Sequence, residues 1–260
     1  MMETIDFSRS EQYTLSIRLR TDGFSFALFD TFGKGEATYL RHNINPLLSL
    51  TNNLKEATHS LEWLGTCSFR RVNILTDNNR FTILPLELFE DEQAEQLFHY
   101  NLPKQTGEVV QYNILRQSST VVLFGINKSA LHFLHERFPD LKLYAKITPL
   151  IDYFTTRSRR GNNRKLYVNL CRSSLELLAF ADGHLLLANS FAAKQHTDRI
   201  YYILYAWKQL NFDQEHDELH LSGEITDKET LLEPLRTYIR RVAVTAGGEH
   251  LDFQAIHTCG

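Results

Sequence analysis

Two short segments carry the residues best suited to hold a charged ligand. The first, Leu19-Arg20-Thr21-Asp22-Gly23, combines a cation, an acid and a glycine; the second, Leu170-Cys171-Arg172-Ser173-Ser174, has an arginine and hydroxyls but neither glycine nor acid. A phosphate site needs backbone N–H groups that can approach the oxygens, which small residues permit. It also needs an aspartate to position Mg²⁺ or water. Only the first segment offers both, and Asp-Gly is equally the favoured pair of a bare hairpin. Arg20 and Arg172 are the right type to grip an anion bidentately without hydrolysing it, but solvated turn arginines are the simpler reading. Leu221-Ser222-Gly223-Glu224 supplies one further glycine and Gly247-Gly248 a pair, while no GxxxxGK[ST] loop exists. Nothing here assembles a motif for ATP and Mg²⁺, so no cofactor is expected.

Other reactive side chains fail on spacing. His216-Asp-Glu-Leu-His220 echoes a zinc motif, with its glutamate one position out. That motif needs a helix, and this segment runs into Leu219-His-Leu-Ser, a strand pattern. On a strand the two imidazoles lie about 13 Å apart, too far for one metal. His132 and His135 sit one helical turn apart beside Glu136, with no third ligand in view. Ser158, Ser173 and Ser190 lie in no GxSxG elbow. Asp30, Glu36 and Asp182 are too scattered for a two-metal nuclease. The basic run Arg157-Ser-Arg-Arg-Gly-Asn-Asn-Arg-Lys165 has no interleaved aromatics, as a nucleic-acid surface would, and reads as a linker.

Composition agrees. The 260 residues are 43% hydrophobic and carry a formal charge of -3, which attracts neither nucleic acid nor anionic lipid. The cysteines, Cys67, Cys171 and Cys259, are odd in number and form no CxxC pair, which suits a reducing compartment. No stretch reaches the roughly 20 apolar residues of a membrane span, and Met1–Ser10 is no signal peptide. A cytoplasmic protein with no membrane insertion is expected.

The elements that must position these residues follow from periodicity. Tyr13, Leu15, Ile17 and Leu19 alternate as on a strand, Phe24–Asp30 is a buried strand, and Glu36–His42 is a third. Asn45-Pro46 opens a helix, Asn45 as N-cap and Pro46 first inside. Leu47, Leu50, Leu54, Ala57, Leu61 and Leu64 then make one stripe. A strand at Arg71–Thr76 follows. The same order returns later: strands at Lys165–Leu170, Leu175–Ala181 and Leu185–Phe191, a helix from about Thr197, and a strand at Glu218–Ser222. Asp182-Gly183 is a hairpin turn, and Asp227 caps a helix that Pro234 kinks or restarts. Starts near 13, 24, 35, 46 and 71 match starts near 165, 175, 185, 197 and 218. Three meandering antiparallel strands, a helix and a parallel strand form the ribonuclease-H-like unit. Two such units define the actin, hexokinase and Hsp70 superfamily, an α/β fold with mixed sheets. The expected lobes are 1–156, carrying an inserted α/β subdomain at about 80–147, and 157–260.

Specific segments add a resemblance. Phe81-Thr-Ile-Leu-Pro-Leu-Glu-Leu-Phe89, His99-Tyr-Asn101, Ile147-Thr-Pro-Leu150, Lys165-Leu-Tyr-Val-Asn169 and Tyr201-Tyr-Ile-Leu-Tyr-Ala-Trp207 resemble an uncharacterised Bacteroidetes domain-of-unknown-function family over nearly the whole chain. The resemblance implies an actin-like fold with no established activity. More distantly, the layout is similar to the actin-like proteins of type IV pilus and type II secretion assemblies, which serve mainly as docking platforms.

The expectation is a degenerate actin-like module that binds an unidentified protein, or a second copy of itself as a homodimer. The alternative is an ATP- or sugar-phosphate-binding enzyme of the same superfamily. The candidate interlobe cleft comprises Arg20, Thr21, Asp22, Gly23, Arg172, Ser173 and Gly223, with no catalytic or metal residue assigned.

Overall fold

The computed structural model describes residues 5–30, 37–225, 227–245 and 248–257. Glu36, Gly247 and Cys259 lie outside the described residues. The chain divides into two compact units, one of residues 1–114 and 121–146 and one of residues 115–120 and 147–260.

The first unit begins with β1 (Tyr13–Leu19), β2 (Phe24–Asp30) and β3 (Ala37–His42). It continues through α1 (Leu50–Ser60), α2 (Glu62–Thr66), β4 (Arg71–Thr76), β5 (Phe81–Pro85) and α3 (Ala94–Asn101). It ends with β6 (Glu108–Leu115), β7 (Thr120–Asn127), α4 (Lys128–Arg137) and β8 (Lys142–Ala145). β1, β2 and β3 form an antiparallel meander, with Tyr13 opposite Asp30 and Phe24 opposite His42. β4 joins β1 in parallel and β8 joins β4 in parallel. The sheet order is therefore β3-β2-β1-β4-β8. Leu15, Ile17 and Leu19 of β1 bury against Leu54 and Ala57 of α1 and Ala130 and Leu134 of α4. The polar face of β1 is buried too. There Ser16 accepts from Asn73 Nδ2 at 3.2 Å, and Arg18 donates to Ser25 Oγ at 3.4 Å.

The second unit repeats the plan. α5 (Ile147–Ser158) precedes β9 (Lys165–Leu170), β10 (Ser174–Ala181), β11 (His184–Ala192), α6 (His196–Gln209) and β12 (Glu218–Gly223). α7 (Lys228–Tyr238), β13 (Arg241–Val244) and α8 (Leu251–Ile256) follow. The sheet order is β11-β10-β9-β12-β13, with β12 and β13 parallel to β9 as β4 and β8 are to β1. Leu166, Val168 and Leu170 meet Ile203 and Trp207 of α6 and Leu231 and Leu235 of α7. On the other face Phe154 of α5 stacks on Tyr167, ring centroids 4.2 Å apart.

One helix departs from the sequence reading. α1 begins at Leu50 with Ser49 as N-cap, accepting from Asn52 N, and not at Pro46. Asn45 caps a turn instead: its Oδ1 accepts from Leu47 N at 3.0 Å, and Leu48 N donates to Asn45 O. Asn53 reaches back to the Asn45 N–H and the carbonyls of Asn45, Leu48 and Ser49, which fixes that turn. The apolar stripe therefore breaks at both ends. Leu47 is 91% exposed, and Leu61 (φ -103°, ψ 86°) separates α1 from α2.

The inserted sheet, order β5-β7-β6, packs Val121 and Leu123 against Ala94 and Phe98 of α3. Two side chains fasten it. The Asn113 amide donates to Leu143 O at 2.8 Å and accepts from Ala145 N at 3.1 Å, so it covers the edge of β8 as a strand would. Arg80 grips Glu108 bidentately, at 2.5 and 2.7 Å. Gly125 makes that pair possible, since a Cβ there would fall 2.1 Å from Glu108 Oε1.

The two tryptophans, Trp63 and Trp207, lie in separate units, so each unit can be followed alone. Gly223 ends β12 at φ +90°, where a Cβ would sit 2.1 Å from Leu170 O. Gly223→Ala is expected to lower the stability of the second unit by roughly 3 kcal/mol, read from Trp207 fluorescence in urea on a Trp63→Phe background. In the first unit, Gly125→Ala and Glu108→Ala should each remove roughly 2 kcal/mol through the same lost ion pair. The double variant should then be no less stable than Glu108→Ala alone, measured through Trp63 on a Trp207→Phe background. Additive losses would contradict the shared mechanism.

Candidate functional site

In the first unit the β1–β2 turn is closed by Arg20 N donating to Gly23 O at 3.1 Å. Gly23 is required by packing: a Cβ there would lie 2.9 Å from His42 O. The charged side chains of the turn bind one another. Arg20 Nε lies 2.9 Å from Asp22 Oδ1 and 3.6 Å from Asp77 Oδ2, and Arg41 approaches Asp22 at 3.7 Å. Asp77 follows β4 and donates its N–H to Leu19 O at 2.9 Å. Its carboxylate also receives Lys146 Nζ at 3.3 Å, and that ammonium is nearly buried.

Beside this network lies a cavity of about 480 Å³. Arg20 and Thr21 line it from the turn, Pro46, Leu48 and Leu50 from the segment leading into α1, and Asp77 from the end of β4. Arg80, Glu108 and Gly125 close it from the inserted sheet. Its wall is mainly hydrocarbon, and its principal charges face partners within the protein: Arg20 toward Asp22 and Asp77, Arg80 toward Glu108. The hydrogen bonds it donates to Glu108 hold the Arg80 guanidinium above its ordinary pKa. Asp77, Arg80 and Glu108 were not read as site residues from the sequence. The one local signal was Gly125, isolated inside the apolar run Val121–Ile126, which marks a close approach.

In the second unit Arg172 and Ser173 form the β9–β10 turn, and Gly223 packs against the end of β9, where Glu224 N donates to Leu170 O at 2.7 Å. The turn is clamped through its carbonyls. Arg199 of α6, nearly buried, donates to Cys171 O at 2.7 Å, to Arg172 O at 3.2 Å and to Ala193 O at 3.2 Å. Asn169 Nδ2 donates to Glu176 Oε2 at 2.8 Å, and Cys171 Sγ lies 3.4 Å from that oxygen. The seven residues singled out from sequence thus fall in two groups, Arg20–Gly23 in one unit and Arg172, Ser173 and Gly223 in the other.

The remaining motifs have structural partners. His216 Nδ1 bonds Asp213 Oδ1 at 2.9 Å, while His220 on β12 bonds Glu218 at 2.9 Å and stacks on Tyr167. Burial would raise the Glu218 carboxyl, but hydrogen bonds from Asn163 and His220 outweigh it and hold the group below its ordinary value. His132 pairs with Glu136 at 3.3 Å on an exposed face. Among the described residues no group of three or more His, Cys, Asp and Glu side chains is disposed to hold a metal ion. In the basic run, Arg157 lies over the Tyr153 ring, Arg159 donates to Gln117 O, and Arg164 holds Asp217 and Leu210 O.

Comparison with known proteins places the chain. A family model described as a protein of unknown function, DUF3822, matches residues 2–242. A Bacteroides thetaiotaomicron protein with an actin-like ATPase fold and unknown function is 47% identical, with a TM-score of 0.90 over 99% of this chain and 100% of that one. The PilM–PilN type IV pilus biogenesis complex aligns at 10% identity and TM-score 0.58, over 93% of this chain and 89% of that one. The ethanolamine utilization protein EutJ from Carboxydothermus hydrogenoformans aligns at 10% identity and TM-score 0.50, over 95% and 90%. No curated protein matches the chain. The repeated sheet order, the family match and the Bacteroides structure agree: this chain belongs to the DUF3822 family and has the actin-like ATPase fold.

Proposed function

We propose that the chain is a degenerate actin-like module that docks another protein and does not hydrolyse nucleotide. The observation that carries this reading is the self-neutralised first turn. Asp22, the acid that would position Mg²⁺, faces Arg20 and Arg41, and Asp77 faces Arg20 and Lys146. Binding Mg-ATP there would first have to break these pairs. The Asp22 pairs are exposed and weak, but Asp77 holds the nearly buried Lys146, and a buried ion pair that loses one partner is strongly destabilised. The cavity beside the turn is walled by Pro46, Leu48 and Leu50, a lining suited to an apolar side chain of a partner. The solved PilM–PilN complex, which has this fold and contains a second protein, supports the reading. No helix among the described residues is long and apolar enough to cross a membrane. The free thiol Cys67 suits a reducing compartment, and we place the protein in the cytoplasm. The retained fold favours a second reading, an ATP- or sugar-phosphate-binding enzyme of the same superfamily.

Thermal unfolding separates the two. A ligand at 100 times its Kd adds about 2.7 kcal/mol, which for a chain of this size raises Tm by roughly 5 °C or more. Millimolar Mg-ATP, Mg-ADP and phosphate are each expected to leave Tm within about 1 °C of the free protein; a shift of several degrees with Mg-ATP would establish the enzyme reading instead.

A further inference from the structure

Between Leu86 and Asn101 the chain has five acids and no lysine or arginine, whereas its overall formal charge is only -3. Glu87, Glu90, Asp91, Glu92 and Glu95 are all exposed, on the link before α3 and on its first turn. The positive end of the helix dipole accounts for Asp91, Glu92 and Glu95. It does not account for Glu87, nor for the hydrocarbon exposed among the acids. Leu88 is 64% exposed and Tyr100 73%. Phe89 packs on the half-exposed Tyr112, ring centroids 4.9 Å apart. The Asp91 carboxylate accepts from the Tyr112 hydroxyl and holds that phenol above its ordinary pKa. Glu92, Glu95, His99 and Tyr100 continue the surface into an open depression of about 460 Å³. Lys104 is the cation there, held by Glu95 at 3.3 Å. Glu87 and Glu92 pair with no cation among the described residues.

Contiguous exposed apolar patches rimmed by polar residues mark interaction sites. Aromatic residues concentrate in docking surfaces, and the charges around them select the partner's sign. We propose that the outer face of the inserted subdomain, from Leu88 and Tyr112 across Glu92 to Tyr100, docks a cationic amphipathic segment of a partner protein. Lysine or arginine of that segment meets Glu87, Glu92 and the aromatic rings, and its apolar residues cover Leu88 and Phe89. This inference rests on the docking reading above but uses a different surface from the cavity.

The test places the photo-crosslinker p-benzoylphenylalanine at Leu88 of the full chain, expressed in the cells it comes from, and in parallel at the exposed Leu47, between the cavity-lining Pro46 and Leu48. At Leu88 the expected adduct is a protein whose crosslinked peptide carries more Lys and Arg than Asp and Glu. Glu87→Lys with Glu92→Lys should cut that adduct at least tenfold and leave the Leu47 adduct unchanged. That unchanged adduct also shows that the variant is folded. An adduct at Leu47 with none at Leu88 overturns this inference and spares the docking reading; no adduct at either position overturns both. An acidic peptide, a nucleic acid or a lipid at Leu88, or a yield indifferent to the charge reversal, also overturns it.

Discussion

Asp77 ties together the carboxyl ends of three strands in the first unit. Its N–H closes onto Leu19 of β1, and its carboxylate holds Arg20 of the following turn and Lys146 just beyond β8. Lys146 N in turn donates to Thr76 O at the end of β4. A nearly buried ammonium is tolerable only when paired, so the geometry of this corner follows from keeping Asp77 in place. The cavity inherits its floor from the same arrangement, since Arg20, Thr76 and Asp77 all line it.

The first turn at that corner is the segment whose residue types best suit a phosphate, and under the proposed reading its chemistry runs the other way. A phosphate turn presents unpaired N–H groups and leaves a carboxylate for metal. In this chain the acids already have cations, Gly23 is small because β3 leaves no room, and the second turn is pinned through its carbonyls by Arg199. Both turns are thus stabilised by groups of the protein itself. Under the proposed docking reading, the inserted subdomain, fastened by Arg80–Glu108 and Asn113, is the part that offers surface to a partner.

The sheet plan could be read from the chain because strand alternation and turn residues are local signals. The spacing of the two repeats carried the fold even without residue identity between them. The start of α1 could not be read that way. Asn45-Pro46 has the chemistry of a helix N-terminus, but Asn53, eight residues on, captures that segment as a turn, and Ser49 takes over as cap. Leu47 then points to solvent although it fits the helical stripe. The site was legible in the same measure. Arg20–Gly23 stood out as a turn, whereas Arg80 with Glu108 and Asp77 with Lys146 meet across 28 and 69 residues. Only the fold brings such pairs together.

The central claim is that the first turn is closed to nucleotide by its own ion pairs. Backbone amide chemical shifts of Thr21, Asp22 and Gly23, followed while Mg-ATP is added to millimolar concentration, test it most directly. The account predicts shifts that stay where they are in the free protein. Saturable movement of these amides, together with that of Ser173, would contradict it.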